Sequence, residues 1–442
     1  MSISKNFLKN IREKTGAVSF AESKYCTVSN YIDTGDYNLN RIISGSIYKG
    51  IPSGRVVIMA GESASGKSLL AAKVAANALN KHKYDHIFIF DSEGGAVKDM
   101  YVGQGCDPNM IDQILIESVE DATVKIIATY NALVEEKLAN PDFRALCIVD
   151  SIGAMVAKKL LSDADKGKQV SDMGGKAKQI NNMVKACTIP ALKSDVSIIF
   201  LNHVYEDPSA MFTSKIKNQP GGLGLQFMGT VNIQCARNLD KDESADKTSY
   251  YKGTNLKFFT CKNRLIKPFY ETVINIDFSE GSNPYAGLVD VAIQYGFIEQ
   301  NGGYYKIPSY SDKSLRLADF IENKEIWDTF INKLDERSQK DMSYSREELL
   351  KAEETEKAVE NVLNSVTENT TEEELTTKLS NVAPEIAQEV VKRRGRPPKA
   401  IAVLNTEVIK EESTDSPTNT SENLITTNSS NDTILEDNPI NI

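Results

Sequence analysis

The sequence predicts an α/β fold with a mostly parallel, twisted central sheet, a small α/β appendage behind it and a disordered tail. Three observations predict it. Short apolar runs of strand character alternate with helical stretches from residue 55 to about 278, a glycine-rich loop joins the first such run to a helix, and the composition changes beyond Met342. The early strands are continuously apolar, as expected where helices cover both faces of a parallel sheet.

A chain of 442 residues suits two or three domains, and 40% hydrophobic with 25% charged residues is ordinary for a globular protein. No apolar run approaches the roughly 20 residues of a membrane span, and residues 1–9 lack the features of a secretory leader. A cytoplasmic protein is therefore expected. The six cysteines, Cys26, Cys106, Cys147, Cys187, Cys235 and Cys261, form no C-x-x-C pair, and His82, His86 and His203 have no metal-ligand spacing. Buried, reduced thiols are expected rather than disulfides or zinc ligands. The net charge of −10 is uneven: residues 342–442 carry 20 acidic and 10 basic side chains, leaving 41 of each in 1–341. The acidic total therefore does not bar the neutral body from nucleic acid.

Near the N-terminus, Phe7, Leu8 and Ile11 make one apolar helical stripe, able to cap its own domain or to dock on a neighbouring subunit. The first strand, 56–59, runs into Gly61-Glu62-Ser63-Ala64-Ser65-Gly66-Lys67-Ser68, which fits G-x-x-x-x-G-K-[ST], and a helical run follows at 69–79. Strand, loop and helix in this order are what a P-loop requires. The glycines let backbone N–H groups turn inward around a phosphate, and the helix aims its positive end there. Lys67 would reach the β and γ phosphates, and the Ser68 hydroxyl would hold Mg²⁺.

Further strands are expected at 87–90, 146–149, 197–201, 231–235, 256–261 and 273–278, the last of them alternating and close in sequence, as in an antiparallel edge. Ligands in such sheets sit outside the carboxyl ends of the strands. Asp150 ends one strand and is expected to serve Mg²⁺, with a helix cap as the plainer alternative. Glu93 follows another, taken to lie beside the P-loop strand, and can polarise a water for attack on a γ-phosphate, with an ordinary surface glutamate as the plainer alternative. Asn202-His203 ends a third, where the histidine is either a phosphate sensor or an ordinary loop residue. Asp91-Ser92-Glu93-Gly94 and Asn332-Lys333-Leu334-Asp335 together mimic a GTPase signature, but the second lies in a helical pattern far from the first and is read as coincidence.

Residues 281 to about 340 keep a helical period (Leu288, Val289, Ala292, Ile293), an aromatic turn at Gly302-Gly303-Tyr304-Tyr305, and the sole tryptophan, Trp327. Beyond them a charged helical stretch to about 391 gives way to Ser, Thr, Asn and Asp, a composition that cannot bury enough to fold. Within it, Lys392-Arg393-Arg394-Gly395-Arg396-Pro397-Pro398-Lys399 resembles an AT-hook. Arg394 and Arg396 would enter the narrow minor groove of A·T-rich DNA, unless the segment is a solvated basic linker.

The ordered set of the P-loop, Asp91-Ser92-Glu93, Asp150-Ser151, Asn202-His203 and Cys261-Lys262-Asn263-Arg264 resembles the RecA family of recombinases, most closely the UvsX type of T4-like phages. Less generic stretches share the likeness: Ser171-Asp172-Met173-Gly174-Gly175-Lys176-Ala177-Lys178, Ala210-Met211-Phe212, Pro220-Gly221-Gly222 and Asn283-Pro284-Tyr285-Ala286-Gly287-Leu288-Val289-Asp290. The resemblance implies a RecA-type P-loop NTPase core over 39–280, a subunit-interaction segment at 1–38, a small C-terminal domain at 281–341 and the tail at 342–442. It also implies ATP and Mg²⁺ as cofactors and a helical filament of copies of the chain on single-stranded DNA. Pairing with homologous duplex DNA and strand exchange would follow, with phage mediator and single-strand-binding proteins as partners.

By that resemblance Glu93 activates the attacking water, Asp150 serves Mg²⁺, and His203, where bacterial members carry Gln, links the γ-phosphate to a DNA loop. Lys262 and Arg264 match a basic pair that reaches the neighbouring subunit's ATP. Two loops would face DNA: 157–175, with Lys158, Lys159, Lys166 and Lys168, and 204–222, with Lys215 and Lys217 around Met211 and Phe212. Such lysines neutralise phosphates without reading sequence, and apolar side chains wedge between bases. Met173 matches a wedge, Lys178 and Lys185 match phosphate contacts, and so do the Gly221 and Gly222 amides. Family members stack adenine on a Tyr seven residues after the catalytic Glu; here that position is Met100, and the tyrosine follows as Tyr101. Two other readings share parts of the pattern: a hexameric RecA-fold helicase, which would carry a separate domain ahead of the motor, and a DNA scaffold that binds ATP with little hydrolysis.

Overall fold

The computed structural model describes residues 5–167, 174–205, 216–240, 253–277 and 281–344. Lys168, Met173, Met211, Phe212, Lys215, Arg394, Arg396 and nearly all of the tail lie outside the described residues. The chain divides after Ser345 into two units, and everything described belongs to the first.

After α1 (Lys5–Thr15), the two-residue strand β1 (Tyr31–Ile32) pairs with β2 (Ile51–Pro52) around α2 (Tyr37–Ser44). The main sheet then begins. In chain order come β3 (Val56–Gly61), α3 (Lys67–Asn80), β4 (His86–Asp91), α4 (Lys98–Gly103), β5 (Ile111–Leu115), α5 (Val119–Ala139), β6 (Ala145–Asp150), α6 (Lys158–Asp165), α7 (Gly175–Ser194) and β7 (Ser197–Asn202). Next are α8 (Gly222–Met228), β8 (Val231–Asp240), β9 (Gly253–Asn263), β10 (Glu271–Asp277) and β11 (Gly281–Ser282). The nine strands lie in the order β11-β10-β9-β8-β3-β7-β6-β4-β5. From β8 through β5 all pairings are parallel, and from β8 to β11 they are antiparallel, which is the edge the alternating strands predict.

Every residue of β3, β6 and β7 is buried. The period of two along each strand divides their side chains between two cores. Val57, Met59, Ile87, Ile89, Leu146, Ile148, Ile199 and Leu201 pack with α3 through Leu70, Ala71, Val74 and Ala75. Val56, Ile58, Phe90, Cys147, Val149, Ile198 and Phe200 pack on the other face against Ile126 and Tyr130 of α5 and Ile180, Met183 and Cys187 of α7. All six cysteines are free, and four are buried.

Two strand assignments differ from the sequence reading. The first concerns β5, which the apolar pattern omits: Ile111-Asp112-Gln113-Ile114-Leu115 is an edge strand with one neighbour, so only half-covered residues are needed. The other correction concerns β4, whose following turn carries Glu93 and which is not beside the P-loop strand: β7 and β6 lie between them. The crossover through α3 leaves room that the chain fills only later, and the neighbours of β3 are β7 and β8.

Beyond the sheet, a third core gathers Tyr285, Leu288, Ile298, Phe320, Trp327 and Phe330 with Ile47, and the rings of Tyr285 and Trp327 stack at 5.1 Å. The Gly302-Gly303 pair is the two-residue loop of a hairpin between β12 (Glu299–Asn301) and β13 (Tyr304–Ile307), and β14 (Ser311–Leu315) completes a three-stranded sheet. Gly302 has φ +59°, the left-handed geometry such tight hairpins demand. Four helices flank the hairpin: α9 (Val289–Gln294) precedes it, and α10 (Leu317–Phe320), α11 (Lys324–Asp328) and α12 (Ile331–Met342) come after it. Asn332-Lys333-Leu334-Asp335 lies in α12, where Leu334 is buried and Asp335 accepts the Ile47 amide, so it is no base-reading loop. Among the described residues no helix is long and apolar enough to cross a membrane.

Candidate nucleotide-hydrolysis site

The P-loop leaves the end of β3 and turns into α3 at Lys67. Two of its positions admit only glycine. A Cβ on Gly61 would stand 2.4 Å from Cys235 Sγ and 2.5 Å from the Cys235 carbonyl oxygen, and Gly66 has φ +79°. Ala64 also takes a positive φ, +56°. Lys67 is 7% exposed, and its ammonium donates to the carbonyl oxygens of Gly61 at 2.9 Å and Glu62 at 2.7 Å. Burial lowers its pKa, and the nearby Cys235, Asp150, Glu93 and Glu62 work against that.

Ser68 Oγ donates to Asp150 Oδ2 at 2.7 Å. Burial raises the Asp150 pKa, the Ser68 bond opposes this, and the negative neighbours Glu93 and Asp91 add to the rise. A hydroxyl and a carboxylate of enhanced basicity suit a small, hard cation that takes most of its other ligands from water and phosphate. Mg²⁺, which keeps several waters and takes one or two carboxylates with substrate phosphates, fits this pair.

Glu93 stands on the turn after β4. Its Oε1 accepts from Ser151 Oγ, and His203 Nε2 lies 3.0 Å from the same oxygen. Burial alone would raise its pKa, but the Ser151 and His203 bonds outweigh it and hold the carboxyl below its ordinary value. Thus the ends of four strands, β3, β6, β4 and β7, bring together Lys67, Ser68, Asp150, Glu93 and His203. Ser151 is the member whose role sequence reasoning missed; its place directly after the strand-ending Asp150 is the available signal.

The site is joined to the second loop. Asn202, fully buried, donates through Nδ2 to Pro220 O at 3.0 Å and Gln219 Oε1 at 3.2 Å, while its Oδ1 accepts the His203 amide. Tyr205 N donates to Asn218 O at 2.8 Å, an antiparallel bridge that closes the base of the loop. Lys217, expected on DNA, has its ammonium 2.6 Å from Glu62 of the P-loop, and its backbone N–H and C=O both bond the Gln234 side chain. That ammonium lowers the Glu62 pKa. Gly221 and Gly222 take φ +97° and +66° where α8 begins.

Other expected residues lie apart from the phosphate end. Lys178 and Lys185, both exposed, are two turns apart on one side of α7, and Lys158 and Lys159 are exposed at the start of α6. Lys166 is exposed where α6 ends. Tyr101 is 3% exposed and packed into the core shared with α3, so in this arrangement its ring offers no face to a base, and its part is packing. Lys262 pairs across from Asn232, about three residues, roughly 10 Å, short of the level of Gly61, and β9 then runs further from the P-loop. Lys262 Nζ and Arg264 Nη2 both donate to the Phe227 carbonyl oxygen. Burial, then the adjacent Arg264 charge, lowers the Lys262 pKa to about 8.

A family model described as the RecA N-terminal domain matches residues 3–283. The recombination and repair protein of Enterobacteria phage T4 is 26% identical over 284 residues, covering 64% of this chain and 68% of that protein. Protein RecA of Aquifex aeolicus is 28% identical over 316 residues, with 70% and 83% covered, and Protein RecA of Malacoplasma penetrans is 24% identical over 324 residues, with 73% and 92% covered. With well over half its length matched by that model and the P-loop, Mg²⁺-type pair and strand-end glutamate assembled at one end of the sheet, the chain belongs to the RecA family of recombinases.

Proposed function

We propose that this chain is a DNA-dependent ATPase that assembles as a filament on single-stranded DNA and promotes homologous pairing and strand exchange in phage recombination, repair and recombination-dependent replication. The observation that carries the reading is the meeting of Lys67, Ser68, Asp150, Glu93 and His203 at one sheet end, with Asn202 tying that end to the stem of the second loop. The P-loop amides and Lys67 bind the polyphosphate of ATP, and Ser68 and Asp150 hold Mg²⁺. Held by these two residues, Mg²⁺ would supply positive charge to offset that of the phosphates. Glu93, ionised at neutral pH, takes the proton of the attacking water, and His203 orients that carboxylate. Lys262 and Arg264, remote from their own P-loop, serve the site of the adjacent subunit. The lysines of α6, α7 and the two loops, with the Gly221 and Gly222 amides, follow the DNA backbone. Mediator and single-strand-binding proteins are the further partners of such a filament.

Steady-state ATP hydrolysis with and without unstructured single-stranded DNA, across protein concentration, tests the reading. The expected result is stimulation of about tenfold or more with cooperative concentration dependence, because each site is completed by a neighbour. Turnover that ignores DNA overturns it, and a joint-molecule assay beside a duplex-unwinding assay separates strand exchange from a helicase.

The tail adds a duplex contact through Arg394 and Arg396. Truncation after Val391 is expected to lower affinity for A·T-rich duplex by about tenfold at moderate salt. Equal affinity in the truncated chain assigns the segment to solvent.

A further inference from the structure

The turn that carries Glu93 is organised by a residue to which the mechanism above gives no part. Asp91, 1% exposed, aims its carboxylate into the turn that follows it. Oδ1 accepts the backbone amides of Glu93 at 3.0 Å, Gly94 at 2.8 Å and Gly95 at 3.3 Å, and Oδ2 accepts the amide of Ala96 at 3.1 Å. A fifth donor comes from outside the turn: Gln113 Nε2 reaches Oδ2 at 2.8 Å. Register explains the reach, since Gln113 stands opposite Ile89, and Ile89 and Asp91 share one face of β4. Burial would raise the Asp91 pKa, but the amides of Ala96 and Glu93 and the Gln113 side chain outweigh it and hold the carboxyl below its ordinary value.

We propose that Asp91 and Gln113 are positioning residues for hydrolysis: the Asp91 carboxylate gathers the amides of the Glu93 turn, and Gln113, from the edge strand, fixes the plane of that carboxylate. Four amides drawn to two oxygens set the backbone from which the Glu93 side chain departs. The Ser151 and His203 bonds then set only its far end. A tilt of the carboxylate displaces the base, and a displacement near 1 Å costs about a hundredfold in rate. This inference rests on the reading of Glu93 as the base.

Because Asp91 is buried, the test uses the exposed Gln113 in the full chain, with single-stranded DNA and ATP. Gln113→Leu removes the fifth donor and is expected to lower kcat about tenfold with KM for ATP unchanged. Gln113→Glu supplies a donor only when protonated. Its negative neighbour Asp91 raises the pKa of the new carboxyl; Asp150 also faces Asp91, and the Tyr101 phenol beside it is uncharged in this range. Relative to wild type, its kcat is therefore expected to recover as pH falls toward about 6, whereas that of Gln113→Leu stays flat. The adjacent His86–Asp112 pair is present in both variants and cancels in the comparison. An unchanged kcat in Gln113→Leu, a loss confined to KM, or parallel pH profiles for the two variants overturns the proposal. Glu93→Gln, measured alongside, separates the two readings. If it turns over normally, the base assignment falls and takes this inference with it; if it is inactive while Gln113→Leu is normal, only the positioning role falls.

Discussion

Glu93→Gln is expected to bind ATP as wild type does and to hydrolyse it about 10²–10⁴-fold more slowly on single-stranded DNA. The substitution keeps size and an acceptor oxygen for Ser151 Oγ, so the turn and the strand ends are preserved while the proton acceptor is lost. The wild-type carboxyl sits below its ordinary pKa because the Ser151 and His203 bonds outweigh burial. The sign follows: a depressed pKa keeps Glu93 ionised through the neutral range, and turnover declines only as pH falls through that lowered value. Equilibrium binding of a fluorescent ATP analogue, beside single-turnover hydrolysis, checks both halves. Hydrolysis within a few-fold of wild type removes Glu93 from the chemistry.

Lys262→Ala should leave ATP binding by dilute protein intact and lower turnover in the assembled protein by about 10³-fold, the scale of a charge supplied by a neighbour to a phosphoryl-transfer site. The strand register carries the argument. β9 is antiparallel to β8, so its last residues lie near the start of β3 and not at the P-loop. A mixing experiment discriminates. Lys262→Ala chains keep Glu93, and Glu93→Gln chains keep Lys262, so random co-assembly at equal amounts restores a competent pair at about a quarter of interfaces if the lysine works across them. Mixtures with no more activity than either variant alone place Lys262 outside the neighbour's site.

What could be read in advance follows from which forces are local. The P-loop was legible because its glycines answer to backbone demands, φ +79° at Gly66 and the contact with Cys235 at Gly61. Strands buried on both faces announce themselves as unbroken apolar runs, as β6 and β7 do. The polar edge strand β5 does not, since one neighbour and a half-exposed face ask little of its side chains. Strand order is non-local, and nothing in residues 86–93 states that two later strands will separate β4 from β3. The same holds for Lys217. The resemblance places it on a DNA-facing loop, but its ion-pair partner Glu62 lies 155 residues earlier in the chain, which no local pattern states. Tyr101 stands one residue beyond the position where the resemblance places a stacking ring, and its side chain packs in the core.

The Tyr205–Asn218 bridge bears on how such a chain can change over generations. Residues 205 and 218, the two ends of the connection 206–217, are held together there, fastened on one side by Asn202 and on the other by the Gln234 clasp on Lys217. Insertions within it therefore do not strain the sheet, and doubling its length adds only about 0.6 kcal/mol of closure entropy. Length can therefore change there at little cost, whereas Asn202 and Gln234, whose side chains make the fastening bonds, are held to their identities, and Asn218, which gives only its backbone carbonyl, is not.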